Sequence, residues 1–133
     1  MERFLLQLWR VTGHELRERV KRFAIRVVGF LRTLAGTIEA QEIGRQLLRS
    51  ALSTSANYRA ACRARSRREF IAKLGVVLEE ADETEHWLDI LHACNVGRGP
   101  ELEWLKDEAA QLRAIFRQSV KTARRNHLES LNP

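Results

Sequence analysis

The chain has 133 residues, 44% hydrophobic and 30% charged, with 23 basic against 17 acidic side chains and a net charge of +6. That length suits one domain that can bury a core without disulfides or metals. Plentiful, regularly spaced Leu, Val, Ile and Phe exclude a disordered chain, and the two prolines, Pro100 and Pro133, leave long stretches free for helix.

The opening "MERFLLQLWRV" has a short apolar part broken by Gln7 and Arg10, with no small-residue cleavage site, so it is not read as a signal peptide. Residues 1–13 are either an amphipathic lead-in or an addition from an early start codon. The first helix is predicted over His14–Ile38, with Leu16, Val20, Phe23, Val27, Phe30, Leu34 and Ile38 at steps of three and four. A break follows around Gly36 and Thr37. The second helix is predicted from about Ala40 to Ala64, with Leu48, Ala51, Leu52 and Ser55 inward among many small residues. Arg59 and Arg63 continue that inward stripe.

Ser66 and Glu69 have the spacing of a capping box opening the third helix. Its stripe is Phe70, Leu74, Val77, Leu78, Ala81, Leu88 and Leu91, and "NVGRGP" ends it. Pro100 suits the first turn of a fourth helix, whose stripe is Leu102, Leu105, Ala109, Leu112, Phe116 and Val120. The segment 127–133 reads as a loose tail. Four helices, short connections and no strand signal predict an all-α, antiparallel up-down-up-down four-helix bundle over residues 14–126. Apolar residues off the main stripes, Ile25, Val28, Val76 and Trp87 among them, predict a second buried face and hence a homo-oligomer.

No catalytic motif emerges. Glu83 and His86 have the E-x-x-H spacing of di-iron bundles, but at roughly 100° per residue both point away from Ala81 and the core. His92 and Glu85 project nearer the core and are expected to bond to another helix. There is no G-x-S-x-G elbow and no phosphate-cradling glycine loop, so neither an enzyme nor a cofactor is expected. Cys62 and Cys94 lack metal-type spacing and read as free thiols of a reducing cytoplasm. No run is long enough to span a membrane.

The basic residues carry the functional signal. Arg59 and Arg63 are expected in ion pairs, within or between subunits, with acids of the third helix such as Glu80 and Glu85. Arg65, Arg67 and Arg68 crowd the turn between helices two and three. Arg113, Arg117, Lys121 and Arg124 line one outer face of the fourth. Arg17, Arg19, Lys21, Arg22 and Arg26 add charge on the first. The turn cluster and the fourth-helix row are candidates for binding RNA or DNA through phosphates, with Tyr58 the one aromatic within the first cluster available for stacking. The competing reading is a purely structural or protein-interaction oligomer.

The segments "GRQLLRSA", "ANYRAACRARS", "EFIAKL" and "EEADE", within residues 39–91, closely resemble the four-helix bundle proteins also called 23S rRNA intervening-sequence proteins. "LRERVKRFAIRVVGFLRTL" and "IFRQSVKTARRN" extend the resemblance to about residues 14–126. It implies an antiparallel bundle, commonly a ring-like homopentamer, with no catalytic residues to carry over. Asn57, Tyr58 and Arg59 match the family's Asn-containing segment and are taken as architectural. Relatives include the accessory variability proteins of diversity-generating retroelements, basic pentamers that bind a reverse transcriptase and nucleic acid. The chain resembles that branch less closely.

Overall fold

The computed structural model describes residues 2–132, with side chains from residue 13 onward. Four helices follow one another: α1 (Glu2–Leu31), α2 (Ile38–Cys62), α3 (Arg67–Ala93) and α4 (Pro100–Ser130). Contacts along each pair run in opposite directions. Gly13 lies near Tyr58 and Gly44 near Leu31. Arg19 meets Glu108 while Arg26 meets Glu101. Arg113 meets Glu85 while Lys106 reaches His92. The helices are therefore antiparallel neighbours in the order α1–α2–α3–α4, closed by α1 against α4.

Each helix end has a local cause. Ile38 opens α2 and does not close α1, and at 83% exposed it belongs to no stripe. Thr37 makes that start by accepting the Ala40 N–H at 3.3 Å. Ser66 caps α3 by accepting the Glu69 N–H at 3.1 Å. The return bond differs from an ordinary capping box, because the Glu69 carboxylate accepts from Arg65 N at 3.0 Å. α3 ends in a Schellman turn. Asn95 takes the left-handed conformation, with φ 54°, Val96 N donates to Leu91 O and Asn95 N to His92 O, and Val96 packs on the core. α4 starts at Pro100 and runs to Ser130, past the point where a loose tail is expected. α1 begins at Glu2, so its backbone takes in the lead-in segment. The side chains of residues 1–12 lie outside the described ones.

The core stripe of α4 is the predicted one, every member buried. So is most of α3, with Thr84 added. α2 is turned from expectation: its buried residues are Ala40, Gly44, Leu47, Ser50, Ala51, Thr54, Tyr58 and Ala61, and Leu52 is exposed. Burying Ser50 and Thr54 is tolerable because each hydroxyl finds a carbonyl one turn back, Leu47 O at 3.2 Å and Ser50 O at 2.7 Å. Thr84 on α3 donates to the Ser50 hydroxyl at 2.9 Å, so a small polar seam sets how closely α2 and α3 approach.

Candidate nucleic-acid interface

The turn of α2 places Tyr58 inward, its ring 5.2 Å from Phe116 and tilted by 52°. Burial pushes its phenol above its usual range. It is a core residue and offers no stacking surface, which removes the one aromatic expected within the first arginine cluster. One and five residues on, Arg59 and Arg63 consequently face outward. Neither meets an acid among the described residues. Asn57 is held by its own helix, donating to Ser53 O at 2.8 Å and Ser53 Oγ at 2.9 Å.

The intrachain pairing predicted for Arg59 and Arg63 falls to other arginines. Arg49 bridges α2 to α3, bonding Glu80 at 3.2 Å and also Glu83. Glu85 is taken by Arg113 of α4, both half-buried. Arg113, expected as a free phosphate contact, is thus a structural cation. Arg19 holds Glu108 with two bonds, 3.0 and 2.6 Å, and Arg26 holds Glu101 likewise at 3.1 and 2.7 Å while lying 3.4 Å over the Trp104 ring. His92 Nδ1 lies 3.2 Å from Lys106 Nζ and 3.3 Å from Glu103, both on α4.

Glu83 and His86 do not converge on a common point. Glu83 accepts from Arg49 and, at 3.1 Å, from the Trp87 indole. His86 is exposed, edge-on to Trp87. Trp87 packs partly on the core; Ile25 and Val76 stay exposed and Val28 half-buried. Among the described residues no three His, Cys, Asp or Glu side chains gather as metal ligands. The Arg49 guanidinium, then the Trp87 N–H, hold the Glu83 carboxyl below its usual range. A carboxylate lowered on folding stabilises above its unfolded value, about 4.3, and that stabilisation is lost as acid carries the pH through its folded value. The melting temperature is therefore expected to fall with acid below about pH 4.3, and less steeply in Arg49→Ala, measured by circular dichroism at stepped pH.

Among the described residues, most of the cations left without an acid share a location, Arg22, Arg32 and Arg98 excepted. Arg65, Arg67 and Arg68 fan from the capped turn between α2 and α3, all exposed. Arg117, Lys121, Arg124 and Arg125 are exposed on the second half of α4, which descends to the same end. Arg59 and Arg63 belong there, and Arg17, bonded to His14 at 2.8 Å, and Lys21 approach from α1. The opposite end, at the α1–α2 and α3–α4 connections, has Arg32 and Arg98 beside Glu39, Glu42, Glu101 and Glu103. The ion pairs of Arg19, Arg26, Arg49 and Arg113 hold Glu108, Glu101, Glu80, Glu83 and Glu85 in the bundle's middle and far end. The bundle is polarised along its axis, a distribution invisible until the helices are folded against one another.

Two open grooves flank the outward edge of α2 at the cationic end. One, about 590 Å³, runs between α1 and α2 past Arg17, Lys21, Arg59 and Arg63, with Ile25, Val28 and Leu52 farther along. The other, about 430 Å³, lies between α2 and α3 beside Arg65, Glu69 and Lys73. Ala56, Arg59 and Arg63 belong to both.

A family model described as 23S rRNA-intervening sequence protein matches residues 14–118. The chain is also similar to a crystal structure at 1.70 Å of a protein of unknown function from the S23 ribosomal protein family of Bacteroides thetaiotaomicron. Identity is 29%, the TM-score is 0.72, and the match covers 82% of this chain and 97% of that one. No curated protein matches. Among the described residues no helix is long and apolar enough to cross a membrane.

Proposed function

This chain belongs to the 23S rRNA-intervening sequence protein family, and from its folded charge distribution we propose that it is a non-enzymatic binding module whose arginine-rich end contacts nucleic acid. The observation that supports this is the gathering of unpaired cations at the α2–α3 turn end. Arg67 and Arg68 open a helix, where positive charge opposes the dipole by about 0.3–1 kcal/mol each. Arg59, in the last turn of α2, and Arg63, its C-cap, stand at the negative end of that helix, where positive charge is favoured. Folding gains nothing from Arg67 and Arg68, whereas a phosphate chain would turn each into an attraction. Arg117, Lys121 and Arg124 strengthen the field of the same end. The module would work in the cytoplasm, alone or beside a nucleic-acid-handling protein.

The test is fluorescence anisotropy with a labelled RNA and a matched DNA at two salt concentrations, comparing wild type with Arg65→Ala/Arg67→Ala/Arg68→Ala. Binding that falls steeply with salt and is weakened at least tenfold in the folded variant supports the proposal. No binding to either at low salt sinks it.

The proposal includes a homo-oligomer, for which exposed Val76 on α3, outside both grooves, and the apolar far end of the α1–α2 groove at Ile25 and Val28, beyond its cations, supply apolar surface. The family resemblance points to a ring-like pentamer. Light scattering should then report a multiple of 15.4 kDa. A stable oligomer with no affinity for nucleic acid would favour the second reading, a protein-interaction scaffold.

A further inference from the structure

We propose that the bound nucleic acid lays its sugar–phosphate backbone across the bundle, over α2, in the two grooves that share Arg59 and Arg63. The inference rests on the nucleic-acid reading above and adds to it a seat and a mode of recognition. Arg59 and Arg63 are exposed and, among the described residues, without an acid partner, although α2 also carries Arg49, which holds two acids of α3. The one acid in the α2–α3 groove, Glu69, is directed to the Arg65 N–H and toward Lys73 at 4.0 Å. On the α1 side Arg17 and Lys21 stand against a single acid, Glu18. Cations therefore succeed one another from α1, over α2, to α3.

Neighbouring helices pack about 8–10 Å apart, so this path spans roughly 20 Å, room for a short run of backbone phosphates. Between the arginines the surface is Ser55, Ala56 and Ala60. Side chains this small let a phosphate chain come within reach of guanidiniums on both sides. The path crosses the helix axes, so no row on a single helix reproduces it. Among the described residues no aromatic lines either groove, since Tyr58 is turned into the core. Recognition here is consequently of backbone charge and not of bases. Two RNAs of unrelated sequence should bind alike within about threefold.

The experiment uses the full chain and two labelled single-stranded RNAs of unrelated sequence, with salt titrations. Arg59→Ala/Arg63→Ala is compared with Arg32→Ala/Arg98→Ala, which removes the same charge from the far end. Ala56→Glu, which keeps every cation and places an acid on the edge the two grooves share, is the third variant. All five positions are exposed helix or loop surface, and circular dichroism verifies folding. The groove double variant is expected to lose tenfold or more in affinity. Its plot of log K against log salt should be shallower by about 1.4, the loss of two phosphate contacts. Ala56→Glu should also weaken binding, and the far-end variant should not. If wild type binds and the groove variants bind as well, this seat is wrong while the nucleic-acid reading stands. An equal loss in the far-end variant shows bulk charge and overturns the seat. Loss of assembly in Arg59→Ala/Arg63→Ala by light scattering would assign the groove to a second copy instead. Absence of binding by wild type removes the reading beneath it.

Discussion

Phe116→Ala is expected to lower the free energy of unfolding by about 3–5 kcal/mol. Phe116 is wholly buried on α4, at the level where α2 presents Tyr58 across the bundle. Truncation removes the transfer energy of the ring and leaves a cavity that four helices pinned by ion pairs cannot easily close. It also strips Tyr58 of its tilted aromatic partner, worth about 0.5–1.5 kcal/mol beyond area. Urea denaturation followed at 222 nm reads the change. Leu128→Ala on the same helix is the comparison. Leu128 is 65% exposed, and its truncation should stay within about 0.5 kcal/mol. A loss below about 1 kcal/mol for Phe116→Ala would mean the core is not closed at the cationic end.

Adding one methyl group at Gly97 should also destabilise, by about 1–3 kcal/mol. A Cβ there would stand 2.7 Å from Phe30 Cζ and 3.2 Å from Leu34 Cδ2. Phe30 is buried and its ring has little room to retreat. The α3–α4 connection lies flat against the end of α1 because this residue has no side chain. Gly75, inside α3, has nothing within 4 Å of the same added atom. There Gly→Ala should raise stability by about 0.5–1 kcal/mol through helix propensity. Opposite signs for the two substitutions in one denaturation series are the expected result. A gain at both would show that the Phe30 contact is loose.

The two cases also show where the sequence speaks and where it falls silent. The stripe of α4 is legible because large apolar residues contrast with charged neighbours, and the Ser66 cap because the four residues from Ser66 to Glu69 suffice to make it. On α2 the contrast fails. Leu47 and Leu48 are adjacent, and Ser50 and Thr54 are buried by satisfying their hydroxyls on their own helix. With Leu48, Leu52 and Ser55 taken as the inward face, Arg59 and Arg63 fall inside and seem to need acids. With Leu47, Thr54 and Tyr58 inward, the same arginines are free. A small rotation of one helix thus reverses the reading of the residues on which the proposed site rests. Gly97 read as a helix breaker for a related reason: the ring that fills its space comes from a helix some seventy positions earlier.

The partners of Arg113 and Arg49 were unreadable because an ion pair between helices depends on register, which spacing within one helix does not contain. The indole of Trp87 is engaged by Glu83 of its own helix and its ring partly covered, contacts that lie off the stripe.

The separation of charge along the bundle bears on rates as well as on affinity. A molecule with one cationic pole is turned by the field of a polyanion while still at a distance, so that its α2–α3 turn arrives first. Fewer collisions are wasted on the far end, where charges of both signs mix, and orientation no longer has to be found by chance. Dissolved ions shorten the reach of that field to about 10 Å at 0.1 M. Against any long anion, added salt should therefore slow capture by this end of the protein. Loss of the short-range contacts would chiefly hasten escape.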